Sequence, residues 1–235
     1  MGIPHKYAAV LIDWDDTLWD FRHNAFVALK EVFFKYQLTN YFASFESFYE
    51  LYEEHNKLLW KDYAAGIIDK DTLQRERFLY PFRQKGKNDE QLARNVGDDF
   101  LETTIKQTGL VPYARELITH LHAAGYQLIV LSNGFREVQY RKINASGLAP
   151  FIDNIVLSEE VGAQKPAPQI FNFAIQLANV SKEQVIMIGD NVETDIKGAF
   201  DFGLDSILFD PYQEQKDNPY ATYRVSGLKE IENIL

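Results

Sequence analysis

Apolar residues follow two different rhythms along this chain. Tyr7 to Ile12 is a short apolar run with Val, Leu and Ile that stops at Asp13, the pattern of a buried parallel strand. Beyond residue 20 the spacing becomes helical. Phe26, Leu29, Phe33 and Phe34 predict a helix over Phe21 to Tyr36, and Phe48, Leu51, Tyr52, Leu58 and Leu59 predict one over Phe45 to Trp60. Leu73, Phe78 and Leu79 mark a third, with Asp71 placed to cap it, and Asp89 to Ile105 forms a fourth. No strand pattern interrupts this region.

After Pro112 strands and helices alternate. Helices are predicted over Tyr113 to Ala124, Arg136 to Ser146, Pro168 to Leu177 and Val192 to Phe202, with Gly125, Gly147 and Gly203 as stops. Strands are predicted over Gln127 to Leu131, Asn154 to Leu157, Gln184 to Ile188 and Ser206 to Phe209. This alternation defines an α/β fold, an open parallel sheet with helices on both faces. The first strand needs the later ones as partners. Residues 1–19 and 106–235 therefore form one core, and 20–105 an all-helical insert.

Composition narrows the function. The chain has 235 residues, 46% of them hydrophobic, with a net charge of −10 and pI near 5.0. Such a balance argues against nucleic acid polymers, which need a basic stripe. A phosphate-bearing substrate would have to be held by local groups, not by the field of the whole protein. There is no Cys, which removes disulfides and thiolate metal sites and suits a cytoplasmic location. Met1 to Lys6 leads straight into the first strand without a signal-peptide pattern, and no apolar stretch nears the ~20 residues of a membrane span.

In a sheet of this kind ligands bind beyond the carboxyl ends of the strands. Those ends carry Asp13, Asp15, Asp16 and Thr17 after strand one, and Ser132 and Asn133 after strand two. Strand three leads to Lys165, and strand four to Asp190, Glu193 and Asp195. Lys142 and Lys197 lie within helices and are expected to be solvated. Clustered carboxylates need a cation among them. An all-oxygen set suits Mg²⁺, and the scattered histidines offer no zinc site. A carboxylate can also serve as a nucleophile in phosphoryl transfer, with a lysine and a hydroxyl holding the transferring oxygens.

Four motifs carry a resemblance. They are Asp13-Trp14-Asp15-Asp16-Thr17, Ser132 in Leu131-Ser132-Asn133-Gly134, Lys165 in Lys165-Pro166-Ala167-Pro168, and Gly189-Asp190-Asn191-Val192-Glu193-Thr194-Asp195. Present together and in order, they resemble the haloacid dehalogenase superfamily. That resemblance implies a Rossmann-like core with a central parallel sheet and an inserted all-helical, C1-type cap. Asp15-Asp16-Thr17-Leu18, Ser132-Asn133-Gly134-Phe135-Arg136-Glu137 and Tyr223-Arg224-Val225-Ser226-Gly227 are similar to the bacterial pyrimidine 5′-nucleotidases of the superfamily.

The resemblance further implies roles. Asp13 would be the nucleophile, Asp15 the acid and base, and Ser132, Asn133 and Lys165 the phosphate-binding groups. Mg²⁺ would rest on Asp13, the backbone carbonyl of Asp15 and Asp190. Thr17 would orient Asp15, while Asp195 and Glu193 would act one layer out. Trp14, Trp19, Phe135, Tyr49, Tyr52 and His55 are candidates for substrate contact, each weighed against ordinary packing. The implied enzyme is a Mg²⁺-dependent phosphatase of small phosphate esters, foremost nucleoside 5′-monophosphates and alternatively sugar phosphates. A phosphomutase is a more distant alternative. The expected assembly is a monomer or homodimer.

Overall fold

A computed structural model of the chain describes residues 6–215 and 218–235. The chain divides into two compact units, Met1–Phe21 with Thr108–Leu235, and Arg22–Gln107.

The first unit is built on a six-stranded parallel sheet of order β3-β2-β1-β4-β5-β6. The strands are β1 (Ala9–Ile12), β2 (Gln127–Ser132), β3 (Asn154–Leu157), β4 (Val185–Gly189), β5 (Asp205–Phe209) and β6 (Tyr223–Val225). β1 lies inside the sheet, with Ile12 beside Val130 on one flank and Ile188 on the other. Alternate residues of each strand face opposite sides, so both faces need a cover. Val10, Ile12, Leu128, Val130, Ile186 and Ile188 pack on one side with Leu117, Ile118 and Leu121 of α5 (Ala114–Ala123). Leu11, Ile129, Leu131 and Met187 pack on the other with Ile170, Phe171 and Ala174 of α7 (Pro168–Ala178). Continuous burial on both faces is why β1 reads as unbroken apolar sequence.

Two features of this unit depart from the expectation. β6 has no counterpart among the predicted strands, because its three residues include Tyr223 and Arg224 and carry no apolar alternation. The helix expected from Val192 begins as a wide π-helical turn, Val192–Ile196, before α8 (Lys197–Phe202). Asn191 caps that turn, its Oδ1 accepting the N–H groups of Glu193 and Thr194 at 3.0 Å each.

The second unit holds α1 (Phe21–Lys35, whose first residue belongs to the other unit), α2 (Phe45–Ala64), α3 (Lys70–Gln84) and α4 (Glu90–Ile105). Ser44, Asp69 and Asp89 cap the last three through their side chains. Asp69 rather than Asp71 caps α3, since Asp69 has the extended backbone a cap requires and Asp71 is already in the first turn. Phe33, Phe42, Phe48, Tyr52, Phe78, Phe82 and Phe100 form a core of tilted and edge-on ring contacts. Phe34 and Leu58, expected in the apolar stripes, are exposed. Among the described residues no helix is long and apolar enough to cross a membrane.

Between β1 and α1 the chain makes a tight loop. Trp14 O accepts the N–H groups of Leu18 and Trp19, and Asp16 N–H donates to Trp19 O. Asp16 sits in the left-handed region with φ 62°. Asp tolerates this conformation better than branched residues do. Asp16→Val should therefore cost about 1–2 kcal/mol of unfolding free energy, while Asp16→Gly should be neutral or stabilising. Denaturant unfolding of the two variants checks this, and equal stabilities would contradict it.

Candidate active site

β1 and β4 are neighbours, so the residues that follow them emerge side by side. The Asp13 N–H extends the ladder by donating to Ile188 O at 2.9 Å. Its carboxylate meets Lys165 Nζ at 2.6 Å, and the same ammonium reaches Asp195 Oδ1 at 2.7 Å. All three residues are buried. Lys165 comes from a loop whose Lys165-Pro166 bond is cis. Asn133 fastens that loop: its Nδ2 donates to Lys165 O at 2.9 Å and its Oδ1 accepts Lys165 N–H at 2.8 Å.

Two glycines make the room. A Cβ on Gly189 would lie 2.3 Å from Asp195 Oδ2, and one on Gly198 would lie 2.9 Å from Pro166 Cβ.

A second acid stands beside Asp13. Thr17 Oγ1 lies 3.3 Å from Asp13 Oδ2 and 3.1 Å from Asp190 Oδ1. Having one proton, it donates to one of them at a time. Oxygens of Asp13, Asp190 and Asp195 lie within 4.8 Å of one another. Burial pushes the Asp13 carboxyl up to about 7, with Lys165 pulling it down and Asp195 and Asp15 pushing it up. Asp190 is raised well above the ordinary range, by burial first and then by Asp13, Asp195 and Asp16. Burial also disfavours the charged form of Lys165, yet Asp13 and Asp195 outweigh it and hold its pKa above the ordinary value. With its three acids ionised, the buried site carries more negative charge than Lys165 alone offsets, and all its anionic ligand atoms are oxygens. That donor chemistry fits a hard divalent cation such as Mg²⁺.

Asp15 points elsewhere. Lys142 Nζ is bonded to its Oδ1, and Gln139 Nε2 donates to its Oδ2 at 2.7 Å. The other hydrogen of Gln139 Nε2 serves Ser132 Oγ, also at 2.7 Å. Both partners come from α6 (Arg136–Ser146) and are buried. The expectation of a solvated Lys142 is thus overturned. Its ammonium lies 4.0 Å above the Trp19 ring, and burial holds its pKa below the ordinary value despite the attraction of Asp15. The stripe Val138, Gln139, Lys142, Ile143 and Ser146 is the buried face of α6. That spacing was the signal available in the sequence, and it passes through Gln139 and Lys142.

Other expected residues divide. Thr17 sits between Asp13 and Asp190 instead of orienting Asp15. The Asn133 side chain supports the Lys165 loop through its Oδ1 and one Nδ2 hydrogen. Glu193 is exposed, outside the acidic group. Trp14, Trp19, Tyr52 and Phe135 are buried and present no ring to a substrate in this conformation. Trp14 and Trp19 belong to the sheet core, and Tyr52 packs among Phe78 and Phe100. Tyr49 is half-buried against Phe26 and Phe45, and His55 stacks on Tyr80 at 3.9 Å.

The fold and this arrangement of acids, lysine and hydroxyl match a known family. Residues 7–203 match the haloacid dehalogenase-like hydrolases, and the chain belongs to that family. It is 30% identical over 232 residues to the pyrimidine 5′-nucleotidase YjjG of Escherichia coli (strain K12), covering 98% of each chain. It is 29% identical over 210 residues to the ribulose-1,5-bisphosphate 5-phosphatase of Halopiger xanaduensis, covering 88% of this chain and 86% of that one. A solved structure of YfnB from Bacillus subtilis, bound to magnesium, superposes with a TM-score of 0.88 at 28% identity, covering 98% and 99% of the two chains.

The raised acids have a consequence for pH. In the folded protein Asp13 and Asp190 keep protons that the unfolded chain loses near pH 4, so their contribution lowers stability as pH rises toward 7. A cation that binds their ionised forms must displace those protons. Its stabilising effect should grow as pH rises through about 7, where Asp13 ionises, and should fall below it, by roughly tenfold in apparent affinity per pH unit for each proton displaced. Thermal melts with and without Mg²⁺ at pH 5 and pH 8 test this. An equal shift at both would contradict it.

Proposed function

We propose that this protein is a Mg²⁺-dependent phosphomonoester hydrolase working through an aspartyl phosphate, with nucleoside 5′-monophosphates as its substrate class. The observation that carries the reading is the Asp13 carboxylate at the end of a central strand. It is buried, bonded to Lys165 and set beside Asp190.

An Asp13 oxygen attacks phosphorus, and the bond from phosphorus to the leaving oxygen breaks. Asp15 gives a proton to that oxygen. Water then attacks the phosphoryl group, Asp15 takes its proton, and the bond between phosphorus and Asp13 breaks to release phosphate. Lys165 and the Ser132 hydroxyl hold the non-bridging oxygens while charge builds on them. Mg²⁺ would be held by Asp13 and Asp190, with the Asp15 backbone carbonyl, and would supply charge neutralisation for the phosphoryl group. The helical unit is read as a cap that limits access of water to the ester.

The nucleotide reading draws support from near-full-length similarity to YjjG. Similarity to a ribulose bisphosphate phosphatase supports the second reading, a sugar phosphate substrate.

Hydrolysis of p-nitrophenyl phosphate should require Mg²⁺ and should fall by roughly three orders of magnitude or more in Asp13→Asn. Equal activity of the wild type and this variant would refute the mechanism. At equal concentrations, pyrimidine nucleoside monophosphates should be turned over faster than sugar phosphates, and a flat or reversed order would remove the nucleotidase reading.

A further inference from the structure

We propose that Lys142 and Gln139 are positioning residues for Asp15, fixing its carboxylate against the end of β2 so that its proton transfer is aimed. This rests on the reading of Asp15 as the acid and base of a phosphatase.

The geometry is specific. Lys142 takes one carboxylate oxygen of Asp15 and Gln139 the other, so rotation of the carboxylate would break one bond or both. Gln139 also holds Ser132, which ties the proton-transfer group and a phosphate-facing hydroxyl to one amide nitrogen. The fixing groups are hidden while their target is not. The Lys142 side chain is 3% exposed and the Asp15 side chain 30%. Asp15 is thus pinned from behind and open in front, as a group that must meet a substrate needs to be.

A purely structural role accounts poorly for the lysine. Long helical lysines normally carry their ammonium to solvent along an apolar stem. Here the ammonium is buried over Trp19, 4.0 Å from the ring centroid. An apolar side chain of similar volume would pack against Trp19 without the desolvation cost of a charge. What an apolar side chain cannot do is hold a carboxylate oxygen. Gln139 shows the same selection: its Nε2 serves two partners while its Oε1 is buried without one. Thr17, the alternative orienting group, bonds to Asp13 and Asp190 instead.

The test is a double-mutant cycle of Lys142→Met with Asp15→Asn, with the full-length protein in Mg²⁺. The substrates are p-nitrophenyl phosphate and the best alkyl phosphate of the substrate panel. Lys142→Met should lower kcat for the alkyl ester by about 30-fold, with KM changed less than about threefold. The aryl ester, whose leaving group departs without a proton, should still give a burst of nitrophenolate close to one per enzyme. In the Asp15→Asn background Lys142→Met should change aryl ester turnover by less than about twofold, because the group it positions is already disabled. Lys142→Arg, which keeps a donor, should recover most of the loss.

Equal losses with and without Asp15 would overturn the inference, as would a Lys142→Met enzyme with wild-type kcat on the alkyl ester. If Lys142→Met does not fold, Lys142→Gln, which removes the charge and shortens the reach toward Asp15, enters the same cycle and is judged by the same outcomes. A wild-type protein inactive on every ester refutes the phosphatase reading itself, and this is visible before any variant is compared.

Discussion

One ammonium organises this protein. Lys165 Nζ stands between Asp13 and Asp195, and each acid would be a buried uncompensated charge without it. Breaking such an arrangement by removing one partner typically costs about 3–5 kcal/mol. Much of the surrounding structure can be understood as keeping that ammonium in place. The Asn133 amide clamps the backbone of Lys165 from the end of β2. The N–H of Asn191 fixes the far oxygen of Asp195 at 3.1 Å, and Thr194 Oγ1 donates to the near one at 3.2 Å. Gly189 and Gly198 clear the volumes that Asp195 and Pro166 fill. Three strand ends and a loop are thereby joined at one point.

That centre was legible in the sequence because its chemistry is costly. Acids and a lysine at the ends of apolar strands have few structural excuses, and the parallel sheet brings strand ends to one edge. Strand positions were legible for the same reason, since fully buried strands are unbroken apolar runs. β6 was not, because an edge strand of three residues with one buried side chain leaves no pattern to find.

Lys142 escaped for a different reason. A lysine in a helix of mean polar character is ordinarily a solvated one, so residue type alone points away from burial. Helical phase was the better guide, because Gln139 and Lys142 share a face with Val138 and Ile143. Trp14 and Trp19 show the opposite case. Trp14 and Trp19 sit near the clustered acids in sequence, but a tight loop that bonds back to Trp14 O and Trp19 O carries both rings into the core. Closeness along the chain says nothing about which side of a sheet a ring enters.

Gly134 leads one step further. It has no left-handed backbone to explain it, yet a Cβ there would lie 2.3 Å from Gln139 Nε2 and 2.8 Å from its Cγ. The second strand's turn and the helix after it therefore draw on one shared volume. A methyl group at residue 134 would be admitted only by moving the amide that joins Asp15 to Ser132. Positions 134 and 139 are thus not independent choices: diversification of this turn must vary them as a pair, trading a larger residue at one for a smaller at the other.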